Sequence, residues 1–250
     1  KQENIKSFDT TNIVNTNFNI KKYRKVAHLF NFHSWLPAAY STNPNEVYPG
    51  INLMSQNFLS NTFLTINAGY NTFFERPFIN SSLVYKGLYP VVEFNYYTGG
   101  RKNYFESDLE YDDDFIFWNE TVSKLKLSIP LNLTQGKWYR SLNIYSCIEN
   151  IYWSDVVDYS PIAAYHGDIQ AFSAGIDFRN LVKTSEKDIY SRWGQIFSAY
   201  YIKSLEPKSE NKHYGFNSAF LFPGILKHHS LKLDFSYQFL NGEYYTFPLF

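Results

Sequence analysis

The sequence predicts an all-β chain, an antiparallel up-and-down transmembrane β-barrel. Three observations predict it: strict alternation along the strands, strands longer than most globular ones, and aromatic residues at strand ends. Alternation is clearest in HSLKLDFSYQFLNG at 229–242. There Leu231, Leu233, Phe235, Tyr237 and Phe239 fall on one face, and Lys232, Asp234, Ser236 and Gln238 fall on the other.

Composition sets the bounds. The 250 residues suffice for one large β domain, and aromatics make up 20% of them against 18% charged. Mean hydropathy is −0.36 and no apolar run reaches the ~18 to 20 residues of a spanning helix, which excludes a bundle of membrane helices. A formal net charge of zero gives no basic field for nucleic acid. The single cysteine, Cys147, excludes a disulfide framework and a cysteine-rich metal site. The first residue is Lys1, which reads as the start of a mature or trimmed segment.

Residues 1–26 are polar and Asn-rich and end in Lys21, Lys22, Arg24 and Lys25, so they read as a solvated linker. Residues 27–250 read as the barrel domain. Strand-like runs fall near 27–37, 48–56, 61–74, 78–86, 89–99, 114–133, 137–152, 167–180, 188–203, 214–222 and 229–240. In FLTINAGY, Leu64, Ile66, Ala68 and Tyr70 oppose Thr65, Asn67 and Gly69. In PVVEFNYYTGG, Val92, Phe94 and Tyr96 oppose Glu93, Asn95 and Tyr97. In LKLSIPLNL, Leu125, Leu127, Ile129, Leu131 and Leu133 oppose Lys126, Ser128, Pro130 and Asn132. In DIQAFSAGIDF, Phe172, Ala174, Ile176 and Phe178 oppose Ser173, Gly175 and Asp177. The greasy sets are expected to face lipid and the polar sets a wet lumen.

Several runs reach the ~9 to 11 residues of a tilted membrane strand, whereas globular strands average ~5 to 6. Short turns also alternate with longer loops, as at the two ends of an outer-membrane barrel. The run at 137–152 is bracketed by Trp138-Tyr139 and Tyr152-Trp153. At ~3.3 Å per residue and ~40° tilt these pairs lie roughly 33 Å apart, which suits two interfacial girdles.

Three stretches carry a family resemblance: AHLFNFHSWLP, YPGINLMSQNFLSNTFLTINAGYN and SLVYKGLYPVVEFNYYTGGR. Within them the matching residues are His33, Ser34, Trp35, Pro37, Ser55, Asn57, Leu59, Tyr85, Lys86, Gly87, Tyr89 and Pro90. The chain resembles the C-terminal barrel of outer-membrane proteins that carry a TolB-like β-propeller. That barrel is similar to the surface-antigen barrels of the BAM and two-partner secretion superfamily. The superfamily's Arg-Gly-aromatic loop tip does not occur, since YGF at 214–216 lacks the Arg.

The resemblance implies a non-enzymatic protein of a Gram-negative outer membrane, acting as anchor, pore or part of an assembly or translocation complex. It also implies a periplasmic linker, and as partners outer-membrane lipids and envelope proteins or a periplasmic domain of the same chain. About eleven strands are counted to Phe239, with EYYTFPLF at 243–250 as a candidate twelfth that would close a 12-stranded barrel against the strand beginning near His28. Open edges are costly in hydrocarbon and single-chain barrels close on an even number of strands. The chain is therefore expected to continue beyond Phe250 into a barrel of ~12 to 16 strands.

Other chemistry is weaker. His33 beside Ser34 suggests an outer-membrane hydrolase, but neighbours on a regular strand point to opposite faces, so the two are not expected to meet. His33, Ser34, Trp35, Asn57, Tyr85 and Gly87 are read instead as lumen or family-motif positions. Asp112, Asp113 and Asp114 lie in an acidic loop that offers weak Ca²⁺ ligands without EF-hand spacing. His213, His228 and His229 read as turn residues. No cofactor is implied. A soluble β-barrel binding a ligand is the remaining alternative.

Overall fold

Period-two alternation becomes thirteen strands, and the described residues contain no helix. The computed structural model describes residues 29–40, 47–105, 114–155, 167–184, 190–205, 211–225 and 228–241. In chain order the strands are β1 (Phe32–Leu36), β2 (Ala39–Tyr40), β3 (Val47–Tyr48), β4 (Gly50–Gln56) and β5 (Thr62–Asn71). Next come β6 (Arg76–Tyr85), β7 (Val91–Phe105), β8 (Asp114–Asn132) and β9 (Trp138–Ser154). Last are β10 (Gly167–Val182), β11 (Gly194–Ser204), β12 (Lys212–Pro223) and β13 (Ser230–Asn241).

Eleven of them form one sheet in the order β1-β4-β5-β6-β7-β8-β9-β10-β11-β12-β13, and every pairing is antiparallel. Apart from β2 and β3, each strand pairs with the one before it. Strands β7 to β10 run 15, 19, 17 and 16 residues, about three times an ordinary strand. The sheet's edges are β1 and β13, which are not paired with each other among the described residues. The linker 1–26 and the segment 243–250 lie outside the described residues.

Tight turns close one end of the sheet. Between β8 and β9, Gln135 and Trp138 exchange backbone hydrogen bonds of 3.1 and 3.0 Å, and Gly136 supplies a φ of +57°. That positive φ is what a two-residue hairpin loop demands. The connections of β7–β8, β9–β10 and β11–β12 at the opposite end are longer, but β5 and β6 are joined there by residues 72–75 alone. The longer link 183–193 between β10 and β11 lies at the tight-turn end.

Three expectations need correction. The run expected from 188 begins as a strand only at Gly194. Ser191 fixes the preceding segment by donating its hydroxyl to the carbonyls of Val182 and Trp193, at 2.7 Å each. The strand expected to stop at 99 continues to Phe105, where it still pairs with β8. The stretch between β1 and β4 was expected to be a plain loop. Its described parts instead form a small hairpin, β2 with β3. Ala39 and Tyr48 are buried there with Phe78 and Tyr97, and Val122 packs against the group. Ala39 comes so near Gly69 that a Cβ at 69 would stand 2.7 Å from that of Ala39. A glycine is required at 69 for the hairpin to settle on the sheet.

Candidate functional site

Register decides what the two faces carry. Across β8, β9 and β10, Leu125 pairs with Ile148 and Ile148 with Phe172, while Ile129 pairs with Ile144 and Ile144 with Ile176. On β12 and β13, Phe216, Phe220 and Phe222 pair with Tyr237, Leu233 and Leu231. Leu125, Leu127, Ile129, Phe172, Ile176, Leu231, Leu233 and Phe235, all expected on the greasy side, therefore share one face. Lys126, Ser128, Ser173, Asp177, Lys232 and Asp234 share the other. The apolar face is the exposed one: Leu125 is 44% exposed, Ile148 52% and Phe235 58%. Large rings pack on it across strands, with Phe197 between Phe178 and Phe216 and Tyr214 against Phe239.

Polar rows bound this apolar face at both ends. Toward the tight turns, Arg140 donates to Asn180 at 3.0 Å and Asn180 donates to Gln195 at 2.8 Å. Toward the long loops, Asn150 pairs with Gln170. Ten residues separate Arg140 from Asn150 on β9, and ten separate Asn180 from Gln170 on β10. At ~3.3 Å per residue and ~40° tilt the apolar band between them is about 25 Å tall. The aromatic ends divide between faces. Trp138 and Tyr152 lie on the apolar face, whereas Tyr139 and Trp153 turn to the polar one, where Trp153 meets Trp118 at 6.3 Å. Each adjacent aromatic pair thus places one ring on the apolar face rather than two.

Over β7 to β9 the polar face is sheltered and its charges are paired, whereas on the edge strand β13 it is open, with the Lys232 and Asp234 side chains 44% and 59% exposed. Arg101 reaches Glu120 at 2.8 Å, Lys124 reaches Glu149 at 3.5 Å, and Lys126 reaches Glu93 at 3.7 Å. Three strands supply them, β7, β8 and β9, so each pair spans a strand boundary. Trp153 donates its indole N–H to Glu120 at 3.1 Å, and Arg101 lies over the Tyr97 ring at 4.7 Å. Glu149 is only 8% exposed and Cys147 beside it 3%. Asn52 Oδ1 and Trp118 Nε1 are buried on this side without a hydrogen-bond partner. A polar lining of that kind needs water to complete it.

Farther along the same face, Tyr145, Gly175, Tyr200 and Gly215 stand side by side on β9 to β12. The Tyr145 ring lies over Gly175 and the Tyr200 ring over Gly215. A Cβ on either glycine would fall 2.4 or 2.2 Å from ring carbon. His213 belongs here too, in β12 rather than in a turn. Its ring faces Tyr200 edge-on at 5.2 Å, and its Nε2 is 3.3 Å from the Tyr200 hydroxyl. Near the tight turns a cavity of about 700 Å³ is lined by Tyr139, Leu181, Lys183, Tyr190, Leu221 and Lys232, among others.

The singled-out motif residues scatter. A β-bulge between Phe32 and Ser34 breaks the alternation of β1 and brings His33 Nδ1 within 2.6 Å of Ser34 Oγ. The expectation that these two could not meet is thereby corrected. Both are exposed on an edge strand, and no carboxylate contacts the imidazole's far side among the described contacts. Trp35 is exposed on the apolar face opposite Leu53. Asn57 organises the β4–β5 turn, its side-chain oxygen accepting from the backbone N–H of Asn61 and Thr62 at 2.9 and 3.1 Å. Tyr85 ends β6 on the apolar face, and its ring covers Gly87. Asp114 opens β8 opposite Phe105, while Asp112 and Asp113 lie outside the described residues. Among the described residues no group of three His, Cys, Asp or Glu side chains could hold a metal. His228 and His229 do lie in the turn before β13, His228 with a φ of +70°.

Sequence reasoning missed the matched charges, because each partner sits on a different strand and only the register joins them. Comparison with protein-family models, curated proteins and solved structures finds no match.

Proposed function

We propose that the chain is an integral outer-membrane β-barrel of a Gram-negative envelope, non-enzymatic, serving as anchor or passage for a partner or solute. One observation carries this reading: the exposed face is apolar over about 25 Å and the sheltered face is polar, the reverse of a sheet in water. Strands β5 to β13 are long enough to cross, and closure by segments flanking β1 and β13 would remove the open edges that hydrocarbon does not tolerate. The matched charges and orphaned polar atoms of the inner face suit a water-filled bore. The tight turns then lie on the periplasmic side and the longer loops outside, with envelope proteins as partners.

The test is chemical labelling. In a Cys147→Ser background reconstituted in liposomes, Leu233→Cys is expected to react with a bilayer-soluble reagent and not with a water-soluble maleimide. Ser236→Cys, on the other face, is expected to react with the maleimide. The opposite pattern, or a wild-type chain that stays in the aqueous fraction, would overturn the membrane reading.

A further inference from the structure

On the apolar face, just beyond the upper polar row, lies a groove of about 540 Å³. Its lining includes Ile79, Thr98, Asn119, Thr121 and Tyr152, with Arg76 at the loop-side rim. Thr98 and Thr121 pair across β7 and β8, and their hydroxyls are 3.0 Å apart. Thr121 pairs in turn with Tyr152 of the girdle, so the floor lies at interfacial height. Two positions lower, on β7 and β8, stand Tyr96 and Ser123 in line with the upper polar row, and apolar Phe94 and Leu125 follow.

The cation is built in rather than loosely placed. The Arg76 stem lies against Gly100, where a Cβ would come within 2.6 Å of Arg76 Cδ. Its guanidinium donates to Asn119 Oδ1 at 2.9 Å, and the Asn119 amide donates in turn to Asp155. That chain fixes the planar guanidinium at the groove's edge with donor N–H groups to spare. Lys102 stands two residues beyond Gly100 on the same face, its ammonium 5.1 Å from the Phe117 ring. A paired hydroxyl floor, an aromatic wall, two cations above and hydrocarbon surface below match one chemistry: a phosphate headgroup with acyl chains attached.

We propose that this groove binds a lipid with an anionic phosphate headgroup in the leaflet at the loop end. The phosphate meets Arg76, Thr98 and Thr121, and the chains run down over Phe94 and Leu125. This rests on the membrane reading above, and the groove gives that reading a specific lipid partner. A lipid is favoured over a free anion because the apolar band begins one row below the groove, at Phe94, Leu125 and Ile148.

The test uses phosphatidylcholine nanodiscs containing a minor fraction of phosphatidic acid, with retained lipid counted by native mass spectrometry after release into mild detergent. The wild-type chain is expected to keep phosphatidic acid. Arg76→Gln, which can still donate to Asn119, is expected to cut retention roughly tenfold, the ratio for one lost charge-assisted hydrogen bond. Lys102→Gln gives a second reading at a more superficial position, with retention expected to fall in the same direction. Equal losses from Arg140→Gln at the far row would mean unspecific attraction and overturn the site. So would release of the lipid by millimolar inorganic phosphate, which would reassign the groove to a free anion. A wild-type chain that never enters the nanodisc would overturn the barrel itself; entry without selective retention overturns only the groove.

Discussion

If the apolar face meets lipid as proposed, replacing Ile144 with arginine is expected to destabilise the chain reconstituted in liposomes by about 2 to 4 kcal/mol. Ile144 lies between Ile129 and Ile176 on the apolar face, is 43% exposed, and sits four residues from Arg140 and six from Asn150. It is therefore near the middle of the apolar band. The sign of the effect separates two environments. An exposed isoleucine in water can become arginine at a cost within about 0.5 kcal/mol. At the centre of a hydrocarbon layer the same guanidinium must shed water or drag it inward. Denaturant unfolding from liposomes measures the difference. Asn143→Arg, one residue away but facing Asp177 on the polar side, is the control and is expected to change little. Equal and small effects at both positions would rule out lipid on that face.

The second large effect concerns the inner charges. Glu149→Ala is expected to cost about 2 kcal/mol, below the ~3 to 5 kcal/mol for breaking a fully dry pair. The discount follows from geometry: the Glu149 side chain is 11% exposed but that of Lys124 is 30%, so water still reaches the ammonium. Removing the carboxylate leaves Lys124 without its 3.5 Å partner, while Lys126 and Glu93 remain paired one step along the wall. Changing Lys124 and Glu149 together to glutamine should recover most of the loss. Unfolding measurements on Lys124→Gln, Glu149→Gln and the double glutamine variant form a thermodynamic cycle. Strict additivity would mean that the pair contributes nothing as a pair.

Much of the sheet was legible because a half-exposed strand writes its faces at a period of two. Leu231 to Phe239 needed no neighbour to be sorted, and their register against Tyr214 to Phe222 preserves that sorting. Strand ends were less legible where contacts decide them. Residues 188–193 have strand-like composition, yet in the described part, 190–193, Ser191 bonds back to Val182. The hairpin of β2 and β3 was invisible for a similar reason: two residues per strand carry no periodicity, and only Gly69 on a distant strand makes room for Ala39. The candidate chemistry was least legible. His33 and Ser34 meet through a bulge that alternation cannot foresee. Arg101 with Glu120, and Arg76 with Asn119, are separated by 19 and 43 positions and join only once β6, β7 and β8 are aligned.

The row of Tyr145, Gly175, Tyr200 and Gly215 makes positions on different strands depend on one another. Each ring occupies the volume a neighbour's side chain would need, so neither member of a ring–glycine pair can change alone without displacement. Gly175→Ala should expel the Tyr145 ring, while Gly175→Ala combined with Tyr145→Ser should restore most of the lost stability. The two positions therefore behave as one heritable unit. Drift through sequence space would proceed by exchanging a ring and a glycine for two middle-sized residues, with the single substitutions as the disfavoured intermediates.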